Sequence, residues 1–144
     1  MYMFIVGGAA LILQDFNERS TLDIDVIEVS KGLESRLPDY SINSRVRAHS
    51  CNFHEGYMER VRKLDVGGRK IDYYAMSLED IVISKIPSNR DTDIVDIREK
   101  SVIDNLDWGL LDKLAAEMKE FALNANSYNI FKSLYDSYVK ECGP

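Results

Sequence analysis

Val6-Gly7-Gly8-Ala9-Ala10-Leu11, with Arg19-Ser20-Thr21-Leu22-Asp23-Ile24-Asp25-Val26 following closely, is the stretch that decides the fold. The apolar run Tyr2 to Val6 has the length and composition of a buried strand, and the glycine pair closes it with a tight turn. Ala9 to Gln14 then suits a helix. Across Thr21 to Val29, Leu22, Ile24 and Val26 alternate with Asp23, Asp25 and Ile27. That is the period of a strand carrying two carboxylates on one face.

Outward from this segment, Ser30 to Leu37 predicts a short helix ended by Pro38, and Asn43 to Ser50 alternate weakly. Tyr57 to Val66 and Arg69 to Ala75 flank Gly67-Gly68 and read as a two-residue hairpin. Its register would set Asp72 against Lys63 and Asp65 against Lys70. Ser77-Leu78-Glu79-Asp80 resembles a capping box, and Leu78, Ile81, Val82, Lys85 and Ile86 follow at helical spacing until Pro87 stops the helix. Three further helices are expected at 90–104, 109–123 and 127–141, where Tyr128, Phe131, Leu134, Tyr135 and Tyr138 form a packing stripe. The fold class is therefore α+β: a mixed β-sheet flanked by helices, with a C-terminal helical segment. The expected division is an α/β core over 1–88 and a helical subdomain over 89–144 packed on it.

The chain has 144 residues with 24 Asp+Glu against 18 Lys+Arg, a net charge of −6. This length supports one domain with a real core, or one domain with a small appendage, and the composition excludes disorder, collagen and coiled coil. The acidic balance removes non-specific duplex binding as a default. Arg45, Arg47, Arg60, Arg62, Lys63, Arg69 and Lys70 form a local basic group for a polyanion such as RNA, or a solvated face balanced by Glu55, Glu59 and Asp65. Cys51 and Cys142 lack metal or redox spacing and fit reduced thiols in the cytoplasm. His49-x-Cys51-x-x-His54 supplies three ligand types where a closed zinc site needs four. Met3 to Leu13 is apolar but has neither a basic region before it nor a cleavage site after it, and no run reaches the roughly 18 residues of a membrane span, so a soluble protein is expected. Because the chain opens inside an apolar segment, an element that would precede it is expected to be absent or to lie elsewhere.

The chemistry of the opening constellation is phosphoryl transfer. Asp23 and Asp25, at i and i+2, are placed to share a hard cation such as Mg²⁺ or Mn²⁺. Gly7 and Gly8 let backbone N–H groups approach phosphate oxygens, and Arg19 and Thr21 stand ready to contact phosphate. The bland alternative is a solvated edge strand beside an ordinary turn.

These residues resemble the nucleotidyltransferase superfamily with the DNA-polymerase-β-like fold, whose signature is a hydrophobic residue and two small residues opening a helix, then Asp-hydrophobic-Asp on a strand. The form here is most similar to the branch that includes AbiEii-type toxins and related domains of unknown function. The resemblance covers most of residues 3–100. It implies transfer of a nucleoside monophosphate from an NTP to an acceptor hydroxyl, with tRNA, a protein or a small molecule as acceptor. It also implies a third carboxylate on a later strand, for which Asp72 is the candidate, its competitor being a cross-strand ion pair with Lys63. In that branch a Lys-bearing helix and an Arg-x-x-Asp-x-x-Asp helix follow, matched by Lys85, Arg90, Asp93 and Asp96 as substrate-binding or supporting residues. Pro87 departs from the pattern by breaking the run between Lys85 and Arg90. The branch further implies a toxin with a protein antitoxin as partner. A catalytically inactive nucleotide-binding or protein-interaction module of the same fold is the alternative.

Overall fold

The computed structural model describes residues 1–17, 24–34, 42–43, 52–65 and 70–144. The chain divides into two compact units: Met1–Ser50 with Met58–Ser77, and Cys51–Tyr57 with Leu78–Pro144. The boundary thus falls at 77/78, where the sequence places it at 88. The reason lies in the helix after Ser77, which is buried nearly all round and shares a core with a later helix. A helix buried on nearly every side, its Glu79, Asp80 and Lys85 included, must be surrounded by other elements of its unit.

The first unit is built on a five-stranded mixed sheet in the order β3-β2-β1-β5-β4. Its strands are β1 (Tyr2–Val6), β2 (Ile24–Val29), β3 (Ile42–Asn43), β4 (Arg62–Lys63) and β5 (Asp72–Ala75). Helix α1 (Gly7–Leu13) follows β1 directly and packs against β1 and β2, with Ala9, Ala10 and Leu11 buried. The short α2 (Lys31–Glu34) adds Leu33 to the core. β1 runs antiparallel to β2 and parallel to β5, and Met3, Ile5, Val26 and Ala75 are all buried. The β1–β2 ladder slips between Phe4 and Ile5, so Ile27 is an extra residue on β2. This bulge breaks the strict alternation, and successive Val26 and Ile27 are both buried.

Two local expectations change. The segment expected as a long strand over 57–66 forms a 3-10 helix, Glu55–Arg60, and only Arg62–Lys63 remain extended. His54 causes this: its carbonyl accepts from Tyr57 N–H and its Nδ1 from Gly56 N–H, at 3.1 and 3.0 Å, offering the backbone a turn in place of a ladder. The hairpin is antiparallel as expected, but Lys63 pairs with Tyr74, not Asp72. A two-residue slip leaves each side chain on its original face. Gly67 and Gly68 lie outside the described residues.

The second unit contains α3 (Leu78–Lys85), α4 (Asp91–Asp96), α5 (Lys100–Asn105), α6 (Trp108–Phe121) and α7 (Ala125–Cys142). The single helix expected over 90–104 is thus two, with an extended Glu99 between them. Leu78, Ile81, Val82 and Ile83 of α3 are each at most 1% exposed, and full burial of such side chains is worth about 1.5–3 kcal/mol apiece. α3 packs on α6, and α6 on α7. Asp107 and Asn124 cap α6 and α7, accepting from Leu110 N–H at 3.0 Å and Ser127 N–H at 2.8 Å. Buried Glu79 accepts from Asp107 N–H at 3.3 Å, tying α3 to the start of α6. Of the expected stripe, Phe131, Tyr135 and Tyr138 are buried, Tyr128 is partly buried and Leu134 is exposed, and the Tyr138 hydroxyl donates to the Ile97 carbonyl at 2.6 Å.

Candidate functional site

Strand β1 ends at Val6, which lies directly opposite Asp25 in the antiparallel ladder. The next residue, Gly7, adopts φ +67°, a backbone region closed to most side chains. A Cβ at Gly7 would stand 3.3 Å from Asp25 Oδ2 and 3.9 Å from its Cβ. The first glycine and the second carboxylate of the sequence pattern are therefore neighbours. Gly8 follows in the first turn of α1. Arg19, Thr21 and Asp23 lie outside the described residues.

Gly7→Ala tests this contact. Left-handed backbone costs an ordinary residue about 1–2 kcal/mol, and the new methyl would press on Asp25. A destabilisation of about that size is expected in urea unfolding, and an unchanged midpoint would contradict the geometry.

Among the described residues, no three His, Cys, Asp or Glu side chains cluster as a metal-ion group. The Asp25 carboxylate nonetheless offers oxygen donors of the kind a hard divalent cation prefers, provided a second carboxylate joins it. Asp72 is not that partner. It lies opposite Tyr2 on β1, whereas Asp25 lies opposite Val6, at the other end of the same strand. Four residues along β1 and the two strand spacings between β2 and β5 separate them by about 16 Å. Asp72 instead pairs with Lys63 at 3.4 Å, both side chains more than half exposed. Asp72 thus stands apart from Asp25 and forms the ion pair with Lys63 that was the competing expectation for it.

A second charged cluster lies in the other unit. Lys85, 7% exposed, is ion-paired and hydrogen-bonded to Asp93, and its Nζ is 3.3 Å from Asp96 Oδ2. Ser88 Oγ donates to the other Asp93 oxygen at 2.7 Å, and Arg90 Nε stands 3.8 Å from it. In one continuous helix, residues 85 and 93 would be eight positions and about 12 Å apart along the axis. The break at Pro87 permits the contact, because the chain turns through Ser88 and Asn89 before α4 begins at Asp91. Lys85, Arg90, Asp93 and Asp96 are thus brought together. Ser88 was not anticipated; the signal for it was a hydroxyl just after a helix-ending proline and ahead of an acidic first turn.

Burial alone would raise the Asp93 pKa, but hydrogen bonds from Lys85 and Ser88 and the charges of Lys85 and Arg90 outweigh it and hold the carboxyl below its ordinary value. A depressed folded-state pKa contributes stability that is present above the unfolded value, about 3.9, and is lost as pH falls through the folded value. Asp93→Asn should therefore flatten the pH dependence of unfolding free energy below about pH 4. An unchanged slope between neutral and acid pH would show that Asp93 is not so held.

Both nitrogens of buried His54 are engaged, Nδ1 by Gly56 N–H and Nε2 by Glu117 Oε2 at 3.1 Å. This is a structural arrangement, and His49 and Cys51 lie outside the described residues. Of the basic group, Arg62, Lys63 and Lys70 are exposed and Arg60 is partly buried. Arg45, Arg47 and Arg69 are outside the described residues. Cys142 is a free thiol. Among the described residues, no helix is long and apolar enough to cross a membrane.

A family model described as a nucleotidyltransferase of unknown function, DUF6036, matches residues 1–142. No curated protein matches the chain, and no solved structure does.

Proposed function

The chain belongs to the DUF6036 family of nucleotidyltransferases of unknown function, and on that premise we propose that it transfers a nucleoside monophosphate from an NTP to an acceptor hydroxyl, with Mg²⁺ or Mn²⁺ as cofactor. The acceptor oxygen bonds to the α-phosphorus, the bond from that phosphorus to the oxygen bridging to the β-phosphorus breaks, and pyrophosphate leaves with the electron pair. The acceptor proton is released. The observation that carries this reading is the Asp25 carboxylate over side-chain-free Gly7.

In this reading Asp25, with Asp23 two residues ahead, holds the cation, which when bound neutralises triphosphate charge. Gly7 and Gly8 leave room for phosphate oxygens at the backbone, and Arg19 and Thr21 contact them. In the other unit, Asp93 and Asp96 hold Lys85, and Arg90, 74% exposed, is the member of that cluster open to an anionic ligand. The acceptor class, whether tRNA, protein or small molecule, follows from neither unit. A toxin role with an antitoxin partner extends the reading to the cell, where growth arrest on expression would support it and unimpeded growth would count against it.

One observation favours a second reading, a module that binds nucleotide without turnover. Asp72 stands at the far end of β1, away from Asp25. Thermal stabilisation by each NTP with Mg²⁺, measured beside transfer of label from α-labelled NTP to the acceptors of a cell lysate, separates the two. Transfer supports the transferase, stabilisation without transfer supports the module, and neither with any NTP overturns both.

A further inference from the structure

The hydroxyl of Ser88 makes two hydrogen bonds in opposite senses. Its oxygen accepts from Arg90 N–H at 3.2 Å, and its proton is given to Asp93 Oδ2 at 2.7 Å. The Ser88 N–H donates in turn to the Lys85 carbonyl at 3.1 Å. One residue thus ties together the end of α3, the backbone at which α4 starts and the carboxylate that holds Lys85.

The sequence explains why a bridge stands here. Arg90 is the N-cap of α4, and an arginine side chain has no acceptor with which to cap a helix. Asp93 lies three residues on, where a capping box uses Glu or Gln to reach back to the N-cap N–H. Aspartate is one methylene shorter than glutamate, and the Ser88 hydroxyl spans the difference by linking the Arg90 N–H to the Asp93 carboxylate. Arg90 is therefore referred twice to the same oxygen, its N–H through Ser88 and its Nε at 3.8 Å from Asp93 Oδ2. The guanidinium is nonetheless 74% exposed, with donors suited to a phosphate group. Holding the base of such a side chain in advance lowers the ordering cost of binding.

We infer that Ser88 is a positioning residue, fixing the start of α4 so that the Arg90 guanidinium meets the triphosphate of the nucleotide. The inference rests on the nucleotide-binding reading above, common to transferase and module. The contact is made by the side chain and not by the end of this six-residue helix. Equilibrium dialysis of the intact chain against each α-labelled NTP with Mg²⁺ tests it. Ser88→Ala should raise Kd about fivefold, the scale of one lost hydrogen bond, and Ser88→Thr, which keeps the hydroxyl, should bind as the wild type does. Added to Arg90→Ala, Ser88→Ala should change Kd no further, because the group it positions is already gone. Ser84→Ala, which removes a hydroxyl bonded to the Ile81 carbonyl within α3, should leave Kd unchanged. A wild-type Kd in Ser88→Ala, weakening that threonine does not relieve, an additive effect on the Arg90→Ala background, or equal weakening by Ser84→Ala would each overturn the inference while leaving nucleotide binding in place. No binding of any NTP by the wild-type chain would overturn the nucleotide reading itself, and this inference with it.

Discussion

Lys85→Met is expected to destabilise the protein by about 3–5 kcal/mol, the cost of leaving a buried charge without its counter-ion. The substitution removes a cation bonded to both Asp93, 9% exposed, and Asp96, which is fully buried. Methionine fills similar space, so the loss would come from the stranded carboxylates and not from a cavity. Two further measurements separate these causes. Acidification protonates the stranded carboxylates, so the deficit relative to wild type should shrink as pH falls. Adding Asp93→Asn and Asp96→Asn to Lys85→Met should recover part of the loss. A deficit independent of pH and unrelieved by the triple substitution would mean that packing, not charge, holds the turn at Pro87.

Asp25→Asn is expected to lower nucleotidyl transfer by about 10³-fold, the scale associated with removing one group that stabilises transition-state charge. The amide keeps the shape of the carboxylate beside Gly7 but loses its charge, and with it most of its capacity to hold a divalent cation. Asp25 is partly accessible and is the second residue of a strand whose buried side chains are Val26 and Ile27, so unfolding in urea should change little. Loss of transfer with retained stability assigns the residue to the reaction. Full transfer by the Asn variant would remove Asp25 from the site.

The two halves of the candidate site were legible to different degrees. Gly7 and Asp25 could be placed together from the sequence because both belong to local patterns, a turn after an apolar run and a period-2 strand. The antiparallel return from β1 to β2 then sets their ends side by side. Asp72 shows where that logic stops. Its position depends on strand order and register, and β5 pairs parallel with β1, which carries Asp72 to the opposite end of the sheet. The strand expected from Tyr57 onward failed for a local reason, since the His54 ring captures the Gly56 N–H. The bulge at Ile27 had no signal, because a bulged strand and a regular one share the same hydrophobic content. In the helical half, the helices expected at 109–123 and 127–141 are found at Trp108–Phe121 and Ala125–Cys142, started by the caps Asp107 and Asn124. The partners of Lys85 were named only through the resemblance, since helical periodicity cannot join residues eight apart. The turn at Pro87, which looked like a departure from the pattern, is what assembles it.

The central claim is that this chain moves a nucleoside monophosphate from an NTP to an acceptor in a reaction that needs a divalent cation. The most direct test is to incubate the wild-type protein with each α-labelled NTP and a cell lysate, with Mg²⁺ or Mn²⁺ present or removed by chelation, and then to separate RNA, protein and small molecules. Label fixed in one of these fractions with the metal, and lost on chelation, is the predicted result and would name the acceptor class. Label that persists after chelation, or no label with any nucleotide, would contradict the claim.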